Sequence, residues 1–187
     1  MDESVAERKA GVGKDEMEST VPRGGKVVGL YRKPEVPGEH GLPKPSVLEA
    51  EIDRRGLKGD FNRYRHEEKR DDAGMAVLLM PSETIEALTR EGWPVRPGDL
   101  GENVATSGIE YDAFAPGSRF RIGASVLEVS KACTPCENLY LLPYVGPERG
   151  PEFLRVMLGR RGWYARVIRE GRVRVGDPIE PIPPGSR

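Results

Sequence analysis

The chain has 187 residues, room for one hydrophobic core, and its 29 basic against 30 acidic side chains leave a formal charge of −1. That balance excludes a dedicated nucleic-acid binder, which carries a basic excess, and no run reaches the roughly 18 apolar residues of a membrane span. Twenty-three glycines, seventeen prolines and a hydrophobic fraction of 37% predict many turns between short strands.

Residues 1–24 are charged and lack apolar periodicity, so they read as a disordered tail ahead of a domain over 25–182, with a short second tail at 183–187. Met1-Asp2-Glu3-Ser4 lacks the basic-then-apolar layout of an export signal, and two cysteines build no disulfide framework. A reducing cytoplasm is the expected compartment.

Lys26 to Tyr31 reads as a first strand, and Pro34, Pro37, Pro43 and Pro45 mark a loop. Val47 to Ile52 reads as a second strand, ending in Gly56-Leu57-Lys58-Gly59-Asp60; the basic stretch Asn62 to His66 reads as a solvated loop. A strand from Met75 to Met80 leads into the clearest helix. Ser82 is placed to cap it, Glu83 and Glu86 suit the positive end of its dipole, Ile85 and Leu88 form its apolar stripe, and Gly92 ends it. Pro97-Gly98-Asp99 and Ser107-Gly108 are turns on either side of Gly101-Glu102-Asn103. Phe120 and Ile122 alternate with Arg119 and Arg121, Leu127 and Val129 alternate with Glu128 and Ser130, and Gly123-Ala124 joins the two runs as a hairpin or bulge.

A second helix is expected to start at Pro151, with Phe153, Leu154, Met157 and Leu158 on one face. Trp163, Ala165 and Val167 then alternate along a late strand, and Glu170-Gly171 turns the chain into Val173 and Val175 on the last one. About seven short strands with two or three helices predict a mainly β fold, a closed or nearly closed barrel with helical insertions.

The only two cysteines form Cys133-Thr134-Pro135-Cys136, after a strand and before a segment able to form a helical turn. A thiol reacts, or binds a soft metal, as its thiolate, which positive neighbours and helix N-termini favour. Cys136 is therefore the candidate nucleophile or metal ligand, against the plainer reading of both thiols as small buried hydrophobes. His40 and His66 make a Cys2His2 zinc site arithmetically available, but their separation matches no finger spacing. A thioredoxin-type pair would open a helix early in a βαβ unit, whereas this pair lies late in a β-rich chain. Lys58 between two glycines offers a cation and backbone amides to an anion, without P-loop spacing. Asn103 holds a polar ligand or satisfies a bend, and His66 needs a partner to act as a base. There is no serine elbow, paired-carboxylate motif or H-E-x-x-H.

In their order, several of these segments resemble the MOSC domain, named after the C-terminal domain of molybdenum-cofactor sulfurase. The segments are Gly56-Leu57-Lys58-Gly59-Asp60 with His66, Gly98-Asp99-Leu100-Gly101-Glu102-Asn103, Pro116 to Gly123, Val126 to Val129, Pro135-Cys136, Gly162 to Val167 and Gly176-Asp177. The resemblance runs from about Lys26 to Ile182 and is to the small stand-alone bacterial type.

It implies a barrel of the pyruvate-kinase type. It also implies that Cys136 either ligates molybdenum of a pterin cofactor or carries sulfane sulfur as a persulfide. Stand-alone members and the mitochondrial amidoxime-reducing proteins use the first arrangement to reduce N-hydroxylated compounds. Asn103 matches a position near the pterin or the metal, with Lys58, Asp60, His66 and Arg166 as further cofactor-binding positions and Arg63, Arg65, Arg160 and Arg161 as cationic neighbours for its phosphate. Stand-alone relatives often carry arginine where this chain has Cys133, which leaves Lys131 or Arg166 to activate Cys136; His66 also lacks the glycine pair that often follows it. Electrons for a small-molecule substrate would come from partner proteins. In the sulfur-carrier alternative a separate cysteine desulfurase supplies the sulfur, and pyridoxal phosphate is not expected on this chain.

Overall fold

The computed structural model describes residues 23–185, so all but Arg23 and Gly24 of the expected N-terminal tail lies outside the described residues. In chain order the strands are β1 (Gly25–Tyr31), β2 (Ser46–Val47), β3 (Glu49–Asp53), β4 (Gly56–Leu57), β5 (Val77–Pro81), β6 (Val104–Ser107), β7 (Arg119–Ile122), β8 (Ser125–Ala132), β9 (Trp163–Arg169), β10 (Gly171–Arg174) and β11 (Pro178–Ile182). The α-helices are α1 (Arg63–Lys69), α2 (Ser82–Arg90) and α3 (Gly146–Val156).

The main sheet runs β11-β7-β8-β9-β5-β6-β1-β2, and β11 also pairs with β1, so seven of its eight strands close into a barrel with β2 attached outside the ring. The expected closed, mainly β architecture is what forms. β10, β3 and β4 make a separate three-stranded sheet. Among the described strands only β5 and β6 pair in parallel, and α2 provides the crossover such a pair requires.

Strand alternation fills the barrel. Phe120 and Ile122 on β7, Leu127 and Val129 on β8, Val77 and Leu79 on β5 and Ala165 on β9 point inward with Val27, Leu30, Val104 and Ile179. Phe114 joins them, its ring centroid 4.9 Å from that of Phe120. The expected two-residue hairpin is present: Ile122 faces Ser125 across Gly123-Ala124, and Gly123 takes φ +55°, the left-handed conformation such a turn needs. A second core gathers under α2 and α3, where Ile85, Leu88, Trp93, Leu100, Leu139 and Phe153 pack together.

Several local expectations are corrected. Asn62 to His66 is not a loop: the Asn62 carboxamide oxygen accepts from the Arg65 backbone N–H at 3.0 Å and starts α1. Pro81, not Ser82, precedes the first turn of α2, and no side chain caps it. α3 begins at Gly146, with Pro147 in its first turn and Pro151 inside it, and Leu158 lies past its end, 62% exposed. The second strand breaks at the exposed Leu48 into β2 and β3. Met75 belongs to a 3-10 turn capped by Asp72, and the following strand begins at Val77. The run through Val173 is not the last strand, because β11 follows and completes the ring. Glu128 does not alternate out to solvent but is buried.

Candidate functional site

Residues that alternate with the barrel core necessarily face outward, and here two of them are covered rather than solvated. Leu78 on β5 and Tyr164 on β9 pack with Met75 and Cys133 outside the barrel wall. β8 ends beside them at Ala132, but its pairing with β9 continues for one more step, as the Cys133 N–H donates to the Gly162 carbonyl at 2.9 Å. Gly162 must be glycine: it takes φ +84°, and a Cβ there would lie 2.4 Å from the Leu79 carbonyl oxygen. Thr134-Pro135 then carry the chain to Cys136, which is extended and leads directly into the 3-10 turn Glu137–Leu141. Both thiols are free; Cys133 is buried and Cys136 partly exposed.

A cavity of about 390 Å³ opens over this wall, and both cysteines line it. The volume falls within the roughly 300–1,000 Å³ of small-molecule and cofactor sites. Lys44, Arg63, Lys69, Lys131 and Arg161 also line it, and among the described residues no aspartate or glutamate does. The loop carrying Lys44, helix α1 and the segment around Cys136 thus close a cationic chamber over the outer face of β5 and β9. Tyr164 lines it too; burial foremost, and then the neighbouring Cys133 thiol, push its phenol above the ordinary range and keep it protonated.

The residues singled out in the sequence separate into three groups. Cys136 lies in the cavity wall, as do Arg63, Arg161 and Lys131, the last held by Asp72 at 2.7 Å. Asp60 and Asn103 do not line it but stand behind Lys44. The Asp60 carboxylate takes Lys44 Nζ at 2.7 Å and Asn103 Nδ2 at 2.8 Å, while Asn103 Oδ1 accepts from the Leu78 N–H at 3.0 Å. Their reach into the cavity is through Lys44.

Lys58, His66 and Arg166 lie elsewhere. Lys58 pairs with Glu51 on the surface, and that contact raises its pKa. His66 is exposed, with Nδ1 3.1 Å from the Asp71 carboxylate and its ring against Phe61, so Phe61 and not His66 lines the cavity. Arg166 lies on Glu128, opposite Arg119. Arg65 donates to the backbone carbonyls of Arg55 and Asp71, and Arg160 forms a two-point pair with Glu91 at 2.7 and 2.8 Å. Lys44, Lys69 and Tyr164 escaped the sequence reading. Lys44 sits in a proline-rich loop and Tyr164 alternates with Trp163 and Ala165 on a strand, and neither pattern assigns a role to the side chain.

The family model for the MOSC domain matches residues 63–180. The chain belongs to the MOSC domain family. That family is linked to molybdenum-cofactor binding. The match begins after β1 to β4, but the MOSC barrel of this chain closes only through β1. The uncharacterized protein YflK of Bacillus subtilis is 29% identical over 119 residues, 60% of this chain and 50% of that protein, so the chain spans about half the length of the curated relative it matches. The crystal structure of the YuaD protein from Bacillus subtilis aligns with a TM-score of 0.67 at 23% identity, covering 84% of this chain and 95% of that one. YiiM from Geobacillus stearothermophilus aligns at 0.65 and 22% identity, covering 86% and 76%. What these structures share with the chain is the MOSC fold.

Among the described residues no group of three or more His, Cys, Asp or Glu side chains is placed to hold a bare ion. No helix of the described residues is long and apolar enough to cross a membrane.

Proposed function

We propose that this MOSC domain is a cytoplasmic protein that binds a molybdenum–pterin cofactor through the Cys136 thiolate and reduces N-hydroxylated compounds, with electrons delivered by partner proteins. The observation that carries the reading is a partly exposed thiol in the wall of a cavity that, among the described residues, is lined by five cations and no carboxylate. The residues present fit such a group. A thiolate is a soft donor suited to a metal already bound to sulfur. The cofactor's phosphate is an anion, and Arg161 is buried in the cavity wall with Nε and Nη1 unpartnered.

When bound, the cofactor supplies the electron-transfer chemistry, and the protein supplies binding, orientation and electrostatics. Lys44 and Arg161 bring fixed positive charge to the chamber, and Asp60 with Asn103 holds Lys44 in place. Tyr164, kept protonated by burial, offers a hydrogen-bond donor beside the thiols. Reduction of an N–OH group releases its oxygen as water and consumes protons and electrons, so an electron-donor protein is required.

The second reading is a sulfur carrier, with sulfane sulfur held as a persulfide on Cys136 and loaded by a separate cysteine desulfurase. The second thiol in the same wall, Cys133, favours it. Elemental analysis for molybdenum with pterin detection, on protein made in a host that synthesises the cofactor, separates the two. About one molybdenum per chain, lost in Cys136→Ser with the fold intact, is the expected result. Labile sulfur on Cys136 without molybdenum makes the protein a carrier, and full cofactor content in Cys136→Ser removes the central claim.

A further inference from the structure

Arg161 is 6% exposed, and its Nε and Nη1 have no hydrogen-bond partner among the described residues. A guanidinium does not lose its proton at any pH a protein survives, so its burial leaves a permanent charge out of water. Such a charge is tolerated when paired and destabilises the fold when left unpaired. The other cations of the cavity with a short ion pair, Lys44, Arg63 and Lys131, pair with Asp60, Glu67 and Asp72. Arg161 has no such carboxylate among the described residues.

The nearest candidate fails on its own chemistry. Glu102 feels Arg161 through space, yet its Oε2 is itself unpartnered, and its one side-chain bond is to the Gly98 N–H at 2.6 Å. Burial pushes the Glu102 carboxyl above the usual range, toward the neutral form, which weakens it further as a counter-charge. Gly101, at φ +74°, lines the cavity beside the guanidinium; a Cβ on it would clash with Leu42 Cδ2 at 2.6 Å and would stand in ordinary contact, 3.9 Å, with Arg161 Nη2.

We propose that Arg161 is the oxyanion-binding residue of the cavity, pairing with a phosphate or carboxylate group of the ligand. Carboxylate and phosphate groups both present two oxygens able to accept from a guanidinium at once, and a buried pair of that kind would complete the charge that folding leaves unbalanced. The proposal deepens the reading of the cavity as the ligand site, and it rests on that reading but not on metal at Cys136.

Thermal unfolding of the metal-free protein at constant ionic strength, with sodium phosphate or sodium acetate replacing sodium chloride, tests it. An anion that binds the native state alone raises the melting temperature with its concentration. We expect phosphate, acetate or both to raise it in the wild type, with apparent affinity about ten- to a hundredfold weaker in Arg161→Met. In chloride, Arg161→Met is expected to melt no lower than the wild type, since it removes an unpaired buried charge; a purely structural arginine would be missed. Response to phosphate alone assigns the site to a phosphate ester such as the cofactor's, whereas an acetate response of similar size assigns it to a substrate carboxylate.

Arg161→Lys, which keeps the charge and loses the fork, covers the case in which the methionine variant does not fold, and its response is expected to be several-fold weaker. Cys136→Ser keeps the wild-type response, so failure of the molybdenum reading leaves this one standing. No response in the wild type, or an equal response in Arg161→Met or Arg161→Lys, overturns the proposal.

Discussion

Lys44 owes its position to Asp60, and Asp60 owes part of its own to Asn103. The ion pair is almost wholly buried, with 4% and 8% of the two side chains exposed, and a buried pair tolerates the loss of neither partner. Asn103 ties the pair to the barrel by donating to Asp60 and to the Tyr31 carbonyl and accepting from the Leu78 N–H. Asn103→Ala therefore leaves a buried backbone N–H without an acceptor and takes a donor from a buried carboxylate. A loss of about 2–3 kcal/mol is expected, read as a lower urea midpoint with unchanged slope. A variant as stable as the wild type would mean that Asn103 does not hold the network.

Glu128 works between elements. From β8 it takes Arg166 on β9 at one oxygen and Arg119 on β7 at the other, at 2.7 Å for Arg119, and so joins three neighbouring strands. The Arg166 hydrogen bond foremost, then Arg119, holds its carboxyl below the ordinary value near 4.5. A group depressed in the folded state adds stability above its unfolded value and loses it as pH falls through the folded one. The wild type should therefore lose stability below about pH 4.5 more steeply than Glu128→Gln, measured as urea midpoints across the acid range. Parallel curves for the two proteins would show that the carboxylate does not carry this dependence. The outward arginines are half exposed, so the effect is also expected to shrink in high salt.

At the scale of the whole molecule, closure of the barrel is its thinnest seam. β1 and β11 share only the pairs Gly25 with Ile179 and Lys26 with Pro178, reinforced by the Val27 N–H to Asp177 carbonyl bond at 2.9 Å and the return bond from Gly176 at 2.8 Å. β11 also covers the edge of β7 over four residue pairs and places Ile179 in the core. Ending the chain after Asp177 would bare an edge on β7 and on β1, and exposed strand edges recruit other chains. We expect the truncated protein to aggregate, seen as loss of the monomer peak in size-exclusion chromatography. A monomeric, cooperatively melting product would show that the remaining strands close without it.

Much of this was readable from local pattern. The inward positions of Phe120, Ile122, Leu127 and Val129, the Gly123-Ala124 hairpin and the Ile85–Leu88 stripe each depend on neighbours a few residues apart and formed as expected, whereas the outward position expected for Glu128 did not. The position of Cys136 before a helical turn belongs to the same class. Arg160 and Arg161 mark where such reading stops. They are adjacent and chemically identical, yet Arg160 reaches out to Glu91 while Arg161 is buried in the cavity without a partner. Tyr164 and Lys44 make the same point, since one is buried against Met75, Leu78 and Cys133 and the other is paired by a residue 16 positions away. Period and turn chemistry are properties of a few consecutive residues, so the sequence by itself determined β7, β8 and β9, the hairpin and the thiol's setting, but not β11, which closes the ring. Which charge is answered and which is left open depends on groups brought together by closure of the barrel, and only the tertiary structure decided that.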